Sequence, residues 1–225
     1  MDAGRYDRSL TLYFSTLFGE SMRVDLSLYL VTDPGLCTRH GLVETVVAAV
    51  RGGVTLVQLR DKHASDEELI DQARRLKAAL AGSGVPLIIN DRLDVALASE
   101  ADGLHLGQDD GDVAVARQAL GERAILGLSV QNLEQMALLD PGPLDYLGLG
   151  PVFATATKQN HARPLGFDGL ATLVAASPLP AVAIGGLQAG HAVQVRAAGA
   201  HGSAVISAIC DSPDPQAAAQ AFFRS

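Results

Sequence analysis

Ala181-Val182-Ala183-Ile184-Gly185-Gly186 and, further on, Gly202-Ser203-Ala204-Val205-Ile206-Ser207 are two short apolar runs with a special ending. Each reads as a buried strand. The first runs into a glycine pair, the second into a serine that opens a new segment. Glycine lets the backbone adopt positive φ and approach a ligand closely. Backbone N–H groups at such turns, or at a following helix start, attract anions. In a (β/α)₈ barrel the loops after strands seven and eight are the usual phosphate cradle. The fold therefore turns on whether the rest of the chain counts out to eight units.

Working outward, apolar runs rich in β-branched residues lie at 28–32, 54–59, 85–90, 103–106, 124–128, 145–149, 181–184 and 202–206. Their hydrophobicity is continuous rather than alternating, as a parallel strand buried on both faces requires. The segments between them carry helical spacing. In 65–80, Ser65 and Glu68 form a capping-box pattern, and Leu69, Ala73, Leu76 and Leu80 trace one apolar face before Gly82. Leu42, Val46, Ala49 and Val50 repeat that face in the helix before it. Eight strand–helix alternations predict an α/β fold, a single TIM barrel, with a doubly wound sheet as the alternative. Residues 25–225 form the barrel domain. Residues 1–24 read as an N-terminal extension, or as an early start with Met22 as the true first residue.

Composition narrows the function. The 225 residues suit one domain, and 48% hydrophobic residues supply a large core. A net charge of −8 argues against a nucleic-acid partner or an acidic membrane surface. Trp is absent, so there is no stacking platform of that kind. The two cysteines, Cys37 and Cys210, have neither CxxC spacing nor the density of a disulfide framework, which favours a reducing, cytoplasmic setting. Leu10–Gly19 is the one signal-like stretch. Its flanks mix Asp2 and Asp7 with Arg5 and Arg8, and no small-residue cleavage site follows, so a secretory signal is a poor reading.

In a TIM barrel, chemistry sits at the carboxyl ends of the strands. After the second strand comes Gln58-Leu59-Arg60-Asp61-Lys62. Alternation points Gln58 and Arg60 to one side, and Lys62 with them if the extended path continues. Such a set clamps a polyphosphate, Arg as a bidentate fork and Lys as a point charge; the alternative is a solvated loop opening a helix. Asn90-Asp91 follows the third strand and Gly107-Gln108-Asp109-Asp110 the fourth. Either pair reads as a helix cap or, taken together, as the carboxylates that hold Mg²⁺ with phosphate oxygens and water. Ser129 after the fifth strand reads as a ligand hydroxyl or as a cap for a helix near Asn132. The connection after the sixth strand, from Gly150 to Gly166, is the longest and carries Thr155, Thr157 and Lys158, in the manner of a lid. His105 lies inside an apolar strand as a core or supporting residue rather than a base, and His161 sits in the long loop. No Ser-His-Asp or Cys-His set offers a nucleophile.

The ordered set QLRDK, ND, GLHLGQDD, GLS, GPVFATATK, IGG and VIS closely resembles the thiamine phosphate synthases, from about Tyr29 to Phe222. The resemblance implies a cytoplasmic transferase of thiamine biosynthesis. It would join 4-amino-5-hydroxymethyl-2-methylpyrimidine diphosphate to a thiazole phosphate, giving thiamine phosphate and pyrophosphate. Carried over by motif, Gln58, Arg60, Lys62, Asn90, Ser129 and Lys158 would hold the pyrimidine diphosphate, with Leu59 and Asp61 inside the same stretch. Of these, Arg60, Lys62, Lys158 and Ser129 would be catalytic. Asp91 and Asp110 would bind Mg²⁺. Thr155, Ala156, Thr157, Gly186, Ile206 and Ser207 would surround the thiazole phosphate. Asp61 and Asp109 stand where the family commonly has Glu. A homo-oligomer is compatible with the resemblance. The rival readings are a thiazole tautomerase on the same fold, which needs an acid/base residue and no metal, and a non-catalytic phosphate sensor.

Overall fold

The computed structural model describes residues 23–155 and 163–224. Eight strands pair in chain order: β1 (Leu28–Val31), β2 (Leu56–Leu59), β3 (Leu87–Asn90), β4 (Gly103–Leu106), β5 (Ile125–Val130), β6 (Tyr146–Leu149), β7 (Ala181–Ile184) and β8 (Gly202–Val205). Every pairing is parallel. Strand β8 returns to β1, with Tyr29 opposite Ala204, so the sheet closes. Closure selects the TIM barrel over the doubly wound sheet. The helices outside it are α1 (Leu42–Arg51), α2 (Asp66–Leu80), α3 (Leu93–Ser99), α4 (Val113–Leu120), α5 (Leu133–Ala137), α6 (Gly166–Ala176), α7 (Ala192–Ala197), α8 (Ser207–Cys210) and α9 (Pro215–Ala221). Among the described residues no helix is long and apolar enough to cross a membrane.

Strand alternation divides the core in two. Leu30, Val57, Ile89, Leu104, Leu126 and Leu149 face the helices, while Tyr29, Leu56, Ile88, Ile125, Tyr146 and Val182 fill the barrel. Both faces of each strand are thus buried, which is why the sequence shows no alternation. Each Leu or Ile so buried contributes roughly 1.5–3 kcal/mol relative to exposure. Val24 and Leu26 join the inner cluster and plug its amino-terminal end. The capping box on α2 forms as its sequence predicts: the Ser65 hydroxyl accepts from the Glu68 N–H, and Glu68 accepts from the Ser65 N–H at 2.8 Å. Cys37 and Cys210, remote in sequence, become buried free thiols in contact.

Asp145, just before β6, ties down the amino-terminal end. One carboxylate oxygen accepts from Arg117 at 2.6 Å and from the Leu126 N–H at 2.8 Å; the other accepts from Arg23 at 2.8 Å. Arg117 also donates to the carbonyls of Pro143 and Ala124. With two arginines and a backbone N–H on one carboxylate, charge and hydrogen-bonding capacity are both met.

Candidate active site

At the carboxyl-terminal end the charges are less evenly matched. Gln58 and Arg60 share the inward face of β2, as alternation predicts, and both are almost fully buried. The Arg60 N–H donates to Thr32 Oγ1 at 3.0 Å, and the guanidinium lies 4.0 Å from Asp33, so the end of β1 holds it in place. Lys62 stands half exposed with Nζ 3.5 Å from Asp91 Oδ2. Leu59 packs outward into the helix layer. Asp61 accepts the His63 and Ala64 N–H groups and so shapes the turn into α2. Those two side chains do not join the cluster.

Asp91 follows β3 at φ +62°, a left-handed conformation for a residue with a side chain. That geometry costs roughly 1–2 kcal/mol and clusters at functional sites. The Asp91 N–H donates to the His105 carbonyl at 2.9 Å, pinning the turn to β4. Asp110 reaches the same place from the GQDD loop: it accepts the Gly107 N–H at 3.0 Å and lies against Asp91. Burial, and then Asp110, push the Asp91 carboxyl above its ordinary range; Lys62 and Asn90 pull the other way. Two hard carboxylates held together against their own repulsion suit a divalent cation that completes its shell from a ligand. The capping alternative fails at this point. Helix α3 has no side-chain cap, and α4 is capped by Asp112, which accepts from Ala114 and Val115. Among the described residues no group of three or more His, Cys, Asp or Glu is placed to hold a metal without such a ligand.

Ser129 also departs from its capping reading. Strand β5 runs on to Val130, so Ser129 lies inside it, and Asn132 itself caps α5 by accepting from Gln135. Ser129 Oγ meets His105 Nε2 at 2.9 Å, and His105 Nδ1 meets the Tyr146 hydroxyl at 2.9 Å. The Tyr146 hydroxyl meets that of Tyr29 at 2.9 Å, and Gln58 Nε2 donates to Tyr29 at 2.6 Å. Five side chains from β2, β1, β6, β4 and β5 thus form one buried chain across the barrel. Burial raises both phenols well above their ordinary range, so they stay protonated.

Just after β7, Gly185 and Gly186 adopt φ +94° and +65°. A Cβ on Gly186 would lie 2.7 Å from the Ala154 carbonyl oxygen, so only glycine lets this turn meet the base of the β6 loop. The Val152 and Phe153 N–H groups donate to the carbonyls of Ile184 and Gly185; the Leu165 and Gly166 N–H groups close the other side of the stem. Thr155 stands at the end of that stem. Ile206 precedes α8 and the exposed Ser207 opens it. Ala156, Thr157, Lys158 and His161 lie outside the described residues.

The structure adds Tyr29, Tyr146, Thr32 and Asp33 to the residues read from the sequence. A tyrosine inside an otherwise apolar strand was the available signal, since its buried hydroxyl requires a partner.

A sequence model of the family described as thiamine monophosphate synthase matches residues 28–209. A thiamine-phosphate synthase of Psychrobacter sp. (strain PRwf-1) is 57% identical over 198 residues, covering 87% of this chain and 92% of the relative. One from Azorhizobium caulinodans is 54% identical over 196 residues, covering 87% and 92%. Among solved structures, a thiamine phosphate pyrophosphorylase from Pyrococcus furiosus superposes with a TM-score of 0.80 at 36% identity, covering 90% of this chain and 96% of that one. With that coverage and identity, the chain belongs to the thiamine monophosphate synthases, a family of transferases.

Proposed function

We propose that the chain joins 4-amino-5-hydroxymethyl-2-methylpyrimidine diphosphate to 4-methyl-5-(2-phosphooxyethyl)thiazole or its carboxylate, forming thiamine phosphate and pyrophosphate in the cytoplasm. The observation that carries this reading is the pairing of two anion-handling arcs on one barrel rim. Arg60, Lys62, Asp91 and Asp110 occupy the ends of β2 to β4; Gly186 and Ser207 occupy those of β7 and β8.

Asp91 and Asp110 would hold Mg²⁺ jointly with diphosphate oxygens, and the ion would supply charge neutralisation for the leaving group. Arg60 and Lys62, with Lys158 from the β6 loop, would bind the negative charge that grows on the departing diphosphate. The pyrimidine C–O bond breaks, its electron pair leaves with the diphosphate, and a pyrimidinylmethyl cation remains. The thiazole nitrogen then supplies a lone pair to that carbon. It carries no proton, so bond formation needs no general base. Thr155, Ala156, Thr157, Gly186, Ile206 and Ser207 would hold the thiazole phosphate, with the β6 loop excluding water that would quench the cation.

The test is incubation with both substrates, with Mg²⁺ or with EDTA. Equimolar thiamine phosphate and pyrophosphate, lost in EDTA, is the expected result. Binding of the thiazole phosphate without product would move the chain to a tautomerase or a sensor.

A further inference from the structure

The five-membered chain inside the barrel has a direction. Gln58 Nε2 can only donate, so the Tyr29 oxygen accepts from it at 2.6 Å. The Tyr29 proton then goes to Tyr146, and the Tyr146 proton to His105 Nδ1. In the opposite sense the buried Tyr29 proton would face a donor at one neighbour and a donated proton at the other. With Nδ1 accepting, the neutral ring carries its proton on Nε2 and donates to Ser129 Oγ. Each member donates to the next, from β2 to β5.

This polarity reaches the site at both ends. Gln58 lies two residues below Arg60 on the inward face of β2; with one amide N–H committed to Tyr29, the carboxamide is fixed in one orientation, and its carbonyl oxygen and second N–H are what remain. Ser129 accepts from His105 on one lone pair, which leaves its own proton to donate. We propose that Tyr29, Tyr146 and His105 are positioning residues that hold the Gln58 carboxamide in one orientation, presenting its carbonyl oxygen beside its free N–H, and that direct the Ser129 proton toward the ligand. An aminopyrimidine offers the matching features, an exocyclic N–H donor and ring-nitrogen acceptors. An oxopyrimidine, with a carbonyl for the amine and a proton on the ring nitrogen, offers them reversed. The chain thus selects the amino over the oxo form, an inference that rests on the pyrimidine reading of the site.

A second observation supports the chain as a built feature. Gly127 on β5 and Gly148 on β6 leave the space it occupies. A Cβ on Gly127 would run into the Tyr146 ring and lie 2.6 Å from His105 Nδ1; one on Gly148 would lie 3.3 Å from His105 Cε1. Tyr29 and Tyr146 meet edge to face with centroids 5.9 Å apart, and the His105 ring lies 5.5 Å from Tyr146, so packing fixes the rings that the hydrogen bonds join.

Two measurements on the ligand-free and ligand-titrated protein test the proposal without relying on turnover. Ring ¹⁵N shifts of His105, assigned by comparison with His105→Gln, are expected to show the neutral Nε2–H form. An Nδ1–H ring or an imidazolium overturns the proposal. Calorimetric titration then gives the affinity ratio of the aminopyrimidine diphosphate to its 4-oxo analogue. Tyr146→Phe, which keeps the ring and removes the link, is expected to lower that ratio by about 10-fold or more while thiazole phosphate affinity stays at the wild-type value. Tyr29→Phe breaks a different link and serves if Tyr146→Phe does not fold. An unchanged ratio in a folded variant overturns the proposal. Failure to form thiamine phosphate, with the tautomer and ratio as expected, overturns the coupling reaction and leaves the chain standing.

Discussion

Two aspartates, one at each end of the barrel, show how differently the same side chain is used. Asp145 at the amino-terminal end is nearly buried, yet it meets Arg117, Arg23 and a backbone N–H, all within 2.8 Å. Asp91 at the carboxyl-terminal end sits in a left-handed backbone, shares its space with Asp110, and has Lys62 at 3.5 Å. The first arrangement locks three parts of the chain together. The second leaves a carboxylate that costs stability until something else joins it. On the proposed function, stability and function are divided between the two ends. An open groove of about 670 Å³ at the amino-terminal end is lined by Arg23 and Arg123, and Asp102 is its one carboxylate among the described residues, so it offers no paired acids like Asp91 and Asp110.

The largest expected effect lies at Asp91. Asn tolerates the left-handed backbone, so Asp91→Asn keeps the turn and removes the charge. Steady-state kinetics with saturating Mg²⁺ are expected to show kcat lowered by about 1000-fold. The same variant has an opposite signature in stability. An acid whose folded pKa is raised lends stability below its unfolded pKa, and that stability is lost as the pH climbs through the folded value. Asp91→Asn is therefore expected to melt above the wild type at neutral pH in the absence of Mg²⁺. The difference should vanish once the pH falls below the ordinary aspartate range.

Asp145→Ala reverses the sign in stability and spares activity. It strands Arg117 in a mostly buried position, which costs about 3 kcal/mol, or roughly 6–12 °C in melting temperature. Activity per folded molecule is expected to stay at the wild-type level; a large loss of kcat would erase the division between the two ends. Gly186→Ala acts on the rim again, forcing a Cβ into Ala154 and shifting the base of the β6 loop. Its kcat/KM for the thiazole phosphate is expected to fall about 100-fold, with the KM for the pyrimidine diphosphate little changed. The smallest effect belongs to Asp112, close in sequence to Asp110 but occupied as the α4 cap. Asp112→Ala is expected to cost about 1 kcal/mol in urea titration and nothing in kcat, which separates a capping acid from a site acid in one loop.

Much of this architecture was legible in the amino acids. Eight continuous apolar runs with helical spacing between them admit few arrangements, and the inward set on β2 follows from period-two alternation alone. The glycine pair after β7 announced a turn that only glycine accepts. What stayed hidden depends on three-dimensional neighbours. Capping and ligand roles use the same residue types, so Asp91, Asp110 and Ser129 were separable from Asp112 and Asn132 only once the helix starts were fixed. Leu59 and Asp61 came with the QLRDK stretch as a motif, but strand alternation turns Leu59 away and Asp61 spends its carboxylate on the turn. Tyr29 and Tyr146 are separated by 117 residues and meet at the barrel axis, a contact no local pattern encodes.

The division between the two ends is tested most directly by the melting temperature with and without Mg²⁺ and inorganic pyrophosphate, for the wild type, Asp91→Asn and Asp145→Ala. The account predicts a rise on adding both ions in the wild type and in Asp145→Ala, from a lower starting point in the latter, and none in Asp91→Asn. An undiminished rise in Asp91→Asn, or its loss in Asp145→Ala, would contradict it.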